Sequence, residues 1–470
     1  MLDFHTFGLL LVGSIIFIAW ISELFARITR IPNIVFHLFF AVIISPFVII
    51  FGYPILDIEL IKLIIGLCIA IIAFEAGYNF NRCLFTIESK IRGQRGMACT
   101  PLSLRQVLRR IIRLSGIAGM ITTVLMTLVF IYLAGFPPTL AVLTGVLCGI
   151  TGPTVITPIL SGLNIKREVA ETLRDEGDFN DAIFSVASTA ILTAFSIQVV
   201  ELITNLPIIL FLIVIDGVIG ILIGIAIGGA GILLVKASRP WMERHFRHRF
   251  SPTVVVTLDM LGLLCAAILA YSFGELLGIE GALIATLTAG ILLGHRHRLE
   301  KDKPILQNKE DEEVVDVEEF LEAEIHTFQL PLTHIAVVTI FIISISFSLP
   351  FLLTVISQVA LIILALTVVC LLMFVVRPIA VFLATIHSAF TVRERLFMSF
   401  LAPRGVIISA LALFAAFEIA SPPLSSPEYA ALILWFILVI VFVTILVEGG
   451  LAPWTAKKTG MIEPETEEVR

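Results

Sequence analysis

Stretches of about twenty apolar residues recur along almost the whole chain, and they decide what it can become. They fall at 7–26, 32–51, 59–78, 114–134, 138–161, 176–198, 207–235, 253–272, 278–294, 331–349, 351–375, 396–417 and 429–447. A hydrocarbon core ~30 Å thick needs about 20 apolar residues as helix, so each run is long enough to cross one. Strands of a membrane barrel would be alternating segments of about ten residues, which these runs are not. The expected fold is an all-α polytopic membrane protein with about thirteen transmembrane helices. Composition agrees: 58% of the 470 residues are hydrophobic and only 14% charged, against the ~25% charged of a typical soluble domain. A water-soluble enzyme is excluded. The net charge of −6 gives no reason to expect nucleic acid as a partner. The six cysteines lie mostly in apolar runs, without a CxxC spacing, and read as reduced buried thiols.

Charge placement tests the count. Loops after the even-numbered spans hold acids but no Lys or Arg. Loops after the odd-numbered spans hold the basic residues, including eight from Arg82 to Arg113, and Arg377, Arg393 and Arg395 after the eleventh span. Of 31 Lys and Arg, only Lys62 and Arg404 fall elsewhere. Basic loops stay on the cytoplasmic side, which puts the N-terminus outside and the C-terminus inside, in a multi-pass protein of the cell membrane. Lys62, near a span end, can snorkel. Little lies outside the membrane: an acidic cytoplasmic loop at 295–330, with apolar residues at helical spacing, and a short tail at 451–470.

Polar groups inside the spans mark functional positions, because each is costly there. The fifth span, AVLTGVLCGITGPTVITPIL, carries Thr151, Gly152 and Pro153 in its middle. Pro153 removes a backbone donor and clashes with the carbonyl four residues back, so the helix should unwind. The twelfth span, LFMSFLAPRGVIISALALF, carries Pro403, Arg404 and Gly405. Spans seven apart run in opposite directions, and a pair of interrupted helices in two inverted halves points to a transporter's midplane site. Arg404 does not shed its proton and needs a carboxylate partner; Glu176 is the expected one. The sixth span begins ETLRDEGDFNDAIF, with Asp181 deepest and Asn180 beside it. A carboxylate in dry surroundings holds a proton more tightly than in water, so Asp181 can trade it for a cation. Asp178 shares its face and is a further candidate ligand, or a partner of Arg174. Glu75, in the third span, is read as a supporting residue. Asp216 and Asp259 are isolated acids read as packing groups, and so are His37 and His334. Gly220, Gly224 and Gly228 recur every fourth residue, which lets another helix come close. With no clustered His or Cys, the only metal expected is a transported alkali cation, and no cofactor is expected.

The segments FEAGYNFN, ITGPTVITPIL, EGDFND, AYSFGELLGIEGALIATLTAGILLG and LAPRGV, in this order, resemble the cation:proton antiporter-1 family of the NhaP/NHE type over roughly 10–450. The resemblance implies an inverted-repeat fold with two unwound crossing helices and a homodimer. It implies a core bundle at about 114–198 and 351–447, and a scaffold and dimerisation part at about 7–78 and 207–349. It implies exchange of Na⁺, or of Li⁺ or K⁺, for H⁺, with Asp181 as the shared site, Thr151 as a cation ligand and Glu176 paired with Arg404. Two positions depart from the family. Many members carry an acid where this chain has Gly152, and a serine where it has Gly177. The Asn180–Asp181 form resembles the electroneutral class. Two other readings are a channel or uniporter using the same broken helices, and an organic-anion symporter with Arg404 as a ligand.

Overall fold

A computed structural model of the chain describes residues 4–29, 31–52, 57–80, 112–161, 163, 165–196, 202–246, 252–276, 281–299, 317–355, 358–421 and 426–462. Among them regular structure is helical, apart from one isolated antiparallel bridge between Ile165 and Ile462. The helices are α1 (Phe4–Thr29), α2 (Asn33–Gly52), α3 (Ile58–Asn79), α4 (Ile112–Tyr132), α5 (Pro138–Gly149), α6 (Pro153–Ser161), α7 (Arg167–Ser196), α8 (Leu202–Phe246), α9 (Pro252–Leu276), α10 (Ala282–Leu299), α11 (Val317–Val355), α12 (Val359–Ala384), α13 (Val392–Phe400), α14 (Val406–Ala420) and α15 (Pro427–Thr459).

Nine stretches among the described residues are long and apolar enough to cross a membrane, α5 with α6 counting as one. Shorter apolar helices lie at Met260–Leu276, Ala282–Gly294 and Val406–Ala420. With the charge-bearing α7 these make thirteen passes, as the sequence predicts. The tenth and eleventh runs divide later than expected: α11 continues to Val355 and α12 runs from Val359 to Ala384. Within 295–330, residues 300–316 lie outside the described residues, as do the side chain of Asp259 and the end of the tail. Of the described cysteines, Cys68 and Cys148 are buried as expected, whereas Cys265 and Cys370 are exposed on apolar helices; none of these four forms a disulfide.

The chain divides into two compact units. The first draws on Met1–Ile65, Leu104–Ile213 and Val337–Arg470, the second on Gly66–Ser103 and Val214–Ala336. In the second unit, the glycine series of α8 is used within the chain. A Cβ on Gly220 or Gly224 would run into the carbonyl oxygens of Gly281 and Ala285, at 2.6 and 2.5 Å. The missing side chains thus let α8 lie directly on α10. In the first unit, α4 packs on α5 and α14 on α15, and α7 touches α5, α6 and α14. Two helices there carry π-helical turns, at Ile112–Ala118 in α4 and Leu372–Val376 in α12. Such turns shift the register of everything that follows, and they concentrate at functional sites.

At one end of the first unit, the start of α7 is tied to its neighbours. The Lys166 N–H donates to the Met461 carbonyl at 2.9 Å, and the Lys166 ammonium meets Glu394 at 3.1 Å. Glu394 also closes a capping box with Thr391 at the head of α13. Burial works against its charge. The Thr391 N–H and hydroxyl and the Lys166 ammonium outweigh it and hold the carboxyl below its ordinary range. Lys62 pairs with Glu418 at 3.2 Å.

Candidate ion site at the crossing of two broken helices

The fifth span breaks where its sequence says it must. α5 ends at Gly149, residues 150–152 are not helical, and α6 restarts at Pro153. The twelfth span does the same: α13 ends at Phe400, 401–405 are not helical, and α14 restarts at Val406. The two gaps meet. The Gly152 N–H donates to the Pro403 carbonyl at 2.9 Å. The Gly152 and Gly405 backbones touch so closely that a Cβ on Gly152 would stand 2.5 Å from the Gly405 nitrogen and closer still to its Cα. Real side chains do not tolerate this, so position 152 admits only glycine as the two breaks are packed. Gly177 of α7 is similarly tight, since its Cβ would sit 3.0–3.1 Å from Pro153.

α7 brings its polar face to this crossing. Asn180 Nδ2 donates to Thr151 Oγ1 at 2.9 Å and more weakly to Glu176 Oε1 at 3.4 Å. Asn180, Asp181 and Thr151 are all buried, and Asp178 is buried one turn below. The Ser185 hydroxyl donates to the Asp181 carbonyl. Asp181 Oδ1 and Asn180 Oδ1 have no hydrogen-bond partner among the described groups. Unpaired buried acceptors on two consecutive residues are rare in folded proteins, and such groups call for an explanation such as an ion or a proton. The donor set is hard oxygen throughout, which suits an alkali cation and not a soft metal.

The expected ion pair is corrected. Glu176 is held by Arg377 in a two-pronged pair at 2.6 and 2.8 Å, with both groups buried, and not by Arg404. Arg377, placed by its sequence in a cytoplasmic loop, is 3% exposed inside α12. The reason lies in the backbone. The π turn at Leu372–Val376 ends immediately before Arg377, and the helix continues through Pro378, tolerated at its first turn. From the other π turn, the Ser115 hydroxyl donates to the Glu176 carbonyl at 3.1 Å. Glu176 is therefore gripped through both its carboxylate and its backbone, and passes that order to Asn180 and Thr151.

Arg404 stays inside the crossing, at 1% exposure, where its Nη1 donates to the Ile150 carbonyl freed by the first break. Its own N–H donates to Thr444 Oγ1 at 3.1 Å, and the Ala402 N–H to Glu448 Oε2 at 2.7 Å. Arg377, Ser115, Thr444 and Glu448 are the site residues that sequence reasoning missed. Thr444 and Glu448 sit one turn apart near the end of a span; that i, i+4 polar pair was the available signal. Glu75 belongs to the second unit, where it accepts a hydrogen bond from the Thr333 hydroxyl. Asp216 is buried in the same unit.

The model of the family described as "Sodium/hydrogen exchanger, transmembrane" matches residues 13–458. Among solved structures, one of the sodium proton antiporter MjNhaP1 from Methanocaldococcus jannaschii at pH 8 is similar at 20% identity, with a TM-score of 0.68. The match covers 97% of this chain and 99% of that one. An electron-microscopy map of the same archaeal antiporter gives a TM-score of 0.61 at 20% identity, covering 98% and 99%. At that identity the likeness shows the fold, an antiporter fold of about thirteen spans. The family match covers nearly the whole chain: it belongs to the transmembrane sodium/hydrogen exchanger family, cation:proton antiporters and not enzymes.

Proposed function

We propose that the protein exchanges one monovalent cation for one proton by competition at Asp181, with Na⁺ the expected ion and Li⁺ or K⁺ chemically admissible. The observation that carries this reading is the unpaired, buried Oδ1 of Asp181, with a second unpaired Oδ1 on the preceding residue, Asn180. A bare carboxylate in a dry passage is costly to move, whereas one holding a proton or a cation is neutral. Only the two loaded forms cross, which enforces exchange. Thr151, Asp181, the carbonyls exposed by the breaks and water supply the oxygens, with Asp178 a further ligand. Glu176 takes no part in the cycle, because Arg377 neutralises it. In this reading a bundle holding the two crossings alternates its access while the remaining helices stay in place. The chain works in the cell membrane as a homodimer, its N-terminus outside and its C-terminus in the cytoplasm.

Arg404 does not suit the anion-symport reading, since its guanidinium is buried and engaged by a backbone carbonyl. The test is sodium-driven pH change in proteoliposomes. Asp181→Asn keeps the size of the side chain but removes the group that titrates, so exchange should disappear while the protein still inserts and folds. Exchange at the normal rate in that variant would falsify the assignment.

A further inference from the structure

The buried charges of the first unit do not all cancel in the Glu176–Arg377 pair. Arg404 remains, with one amino group on a neutral carbonyl and its Nε without a hydrogen-bond partner. A guanidinium buried against neutral dipoles alone is unfavourable by several kcal/mol, and it requires an anion nearby. Outside the ion pair, the buried acids of this unit among the described residues are Asp178, Asp181 and Glu448. If Asp181 supplied the negative charge permanently, a fixed arginine would compete with both of its exchangeable partners. Glu448 is placed to do it instead. Its Oε2 accepts the Ala402 N–H at 2.7 Å, and Thr444, one turn earlier on the same face of α15, accepts the Arg404 N–H at 3.1 Å. The Thr444 hydroxyl proton is spent on the Ile440 carbonyl at 2.8 Å, which leaves its oxygen facing the break as an acceptor. The acid and the arginine are thus fixed to the same short stretch of backbone.

The other helices packed on α15 add few charges. α12 brings Arg377, already paired with Glu176. α2 brings His37, buried, and meets α15 near Gly449 through Val35. α14 carries only Glu418, which pairs with Lys62. α5 brings only Cys148, α6 carries no charged residue, and α13 brings Arg393, by Gly460 beyond the last turn of α15, with Glu394 on Lys166 and Arg395 on the Ser388 carbonyl.

We propose that Glu448 is the standing counter-ion of Arg404 and, through it, a positioning residue for the exchange. Its charge offsets the arginine, so that Asp181 is left to choose between proton and cation. This rests on the reading of Asp181 given above. Neutralising Glu448 leaves Arg404 uncompensated, and both the proton and the cation then leave Asp181 more readily. The kinetic signature is specific. At alkaline pH, where no proton competes, the KM for Na⁺ rises. The pH below which protons begin to raise that KM moves to the acid side. At acid pH the two losses cancel and KM is unchanged. For charges on the order of 10 Å apart in a medium of effective dielectric about 20, the expected size is about tenfold in KM and about one pH unit.

The experiment compares KM for Na⁺ across pH in proteoliposomes for the wild type, E448Q, E448D and D181N. Gln still accepts the Ala402 N–H, so a purely capping role predicts no change in E448Q. A raised alkaline KM with an acid-shifted onset in E448Q, and near-normal behaviour in E448D, supports the proposal. An unchanged E448Q, or equal shifts in E448Q and E448D, overturns it. If E448Q cannot be recovered folded, the double variant E448Q/R404Q decides. Recovery supports a charge pair; failure of both overturns it. Activity in D181N would overturn the underlying reading instead, whereas an inactive D181N beside an unshifted E448Q removes only the role of Glu448.

Discussion

At the scale of single residues, the site is an ordered line: Arg377 fixes Glu176, Glu176 and Thr151 fix the Asn180 carboxamide, and Asp181 is left with an oxygen to offer. Replacing Arg377 by Ala strands a buried carboxylate, which costs on the order of 3–5 kcal/mol. The expected result is a large fall in thermal stability of the purified protein, with exchange lost as well. R377K should recover only part, because an ammonium cannot reproduce the paired geometry of the guanidinium. A variant R377A as stable as the wild type would show that the pair is ornamental. Asp181, Asn180 and Thr151 were legible in the sequence because ionisable and hydroxyl groups stand out in apolar runs. Arg377 was not. A basic residue followed by proline at the edge of an apolar run looks like a loop flank, and the π turn that carries the helix past it leaves no mark in composition. Its absence from view made Arg404 the natural partner for Glu176, when Arg404 is in fact occupied by the Ile150 carbonyl.

At the scale of elements, the breaks could be placed to within a residue or two, since Pro153, Pro403 and their glycines fall in mid-span. That the two breaks touch could not be seen, because touching is a matter of two distant segments. The contact gives a prediction. G152A puts a methyl group into the Gly405 backbone, and overpacking of this kind costs about 1–3 kcal/mol where the surroundings can yield. Here both sides are backbone, so the expected outcome is reduced thermal stability and a slower exchange rate, measured in the same proteoliposomes, with G405A behaving alike. A G152A protein with normal stability and rate would mean that the crossing is looser than these distances state. The glycine series of α8 was visible as a close-packing motif, but whether its partner was α10 or a second chain was not, because a four-residue spacing is blind to what approaches it.

At the scale of the whole molecule, thirteen passes followed from run lengths and from the alternation of basic loops. Each compact unit is gathered from separated stretches of chain. One acid that cycles between proton and monovalent cation carries the same charge in both loaded forms. Exchange should therefore be indifferent to voltage: sodium-driven pH change with the potential clamped by potassium and valinomycin should match that without a clamp. An exchange rate that follows the imposed potential would require a second charge to move with the cycle and would rule out one-for-one stoichiometry.

The bare meeting of Gly152 and Gly405 also limits how this protein can be retuned by design. Placing an acid at position 152 would demand that an entire backbone segment retreat by the width of a side chain, which no single replacement supplies. On the proposed reading, selectivity is open to adjustment at positions 151, 178 and 181, where side chains already stand.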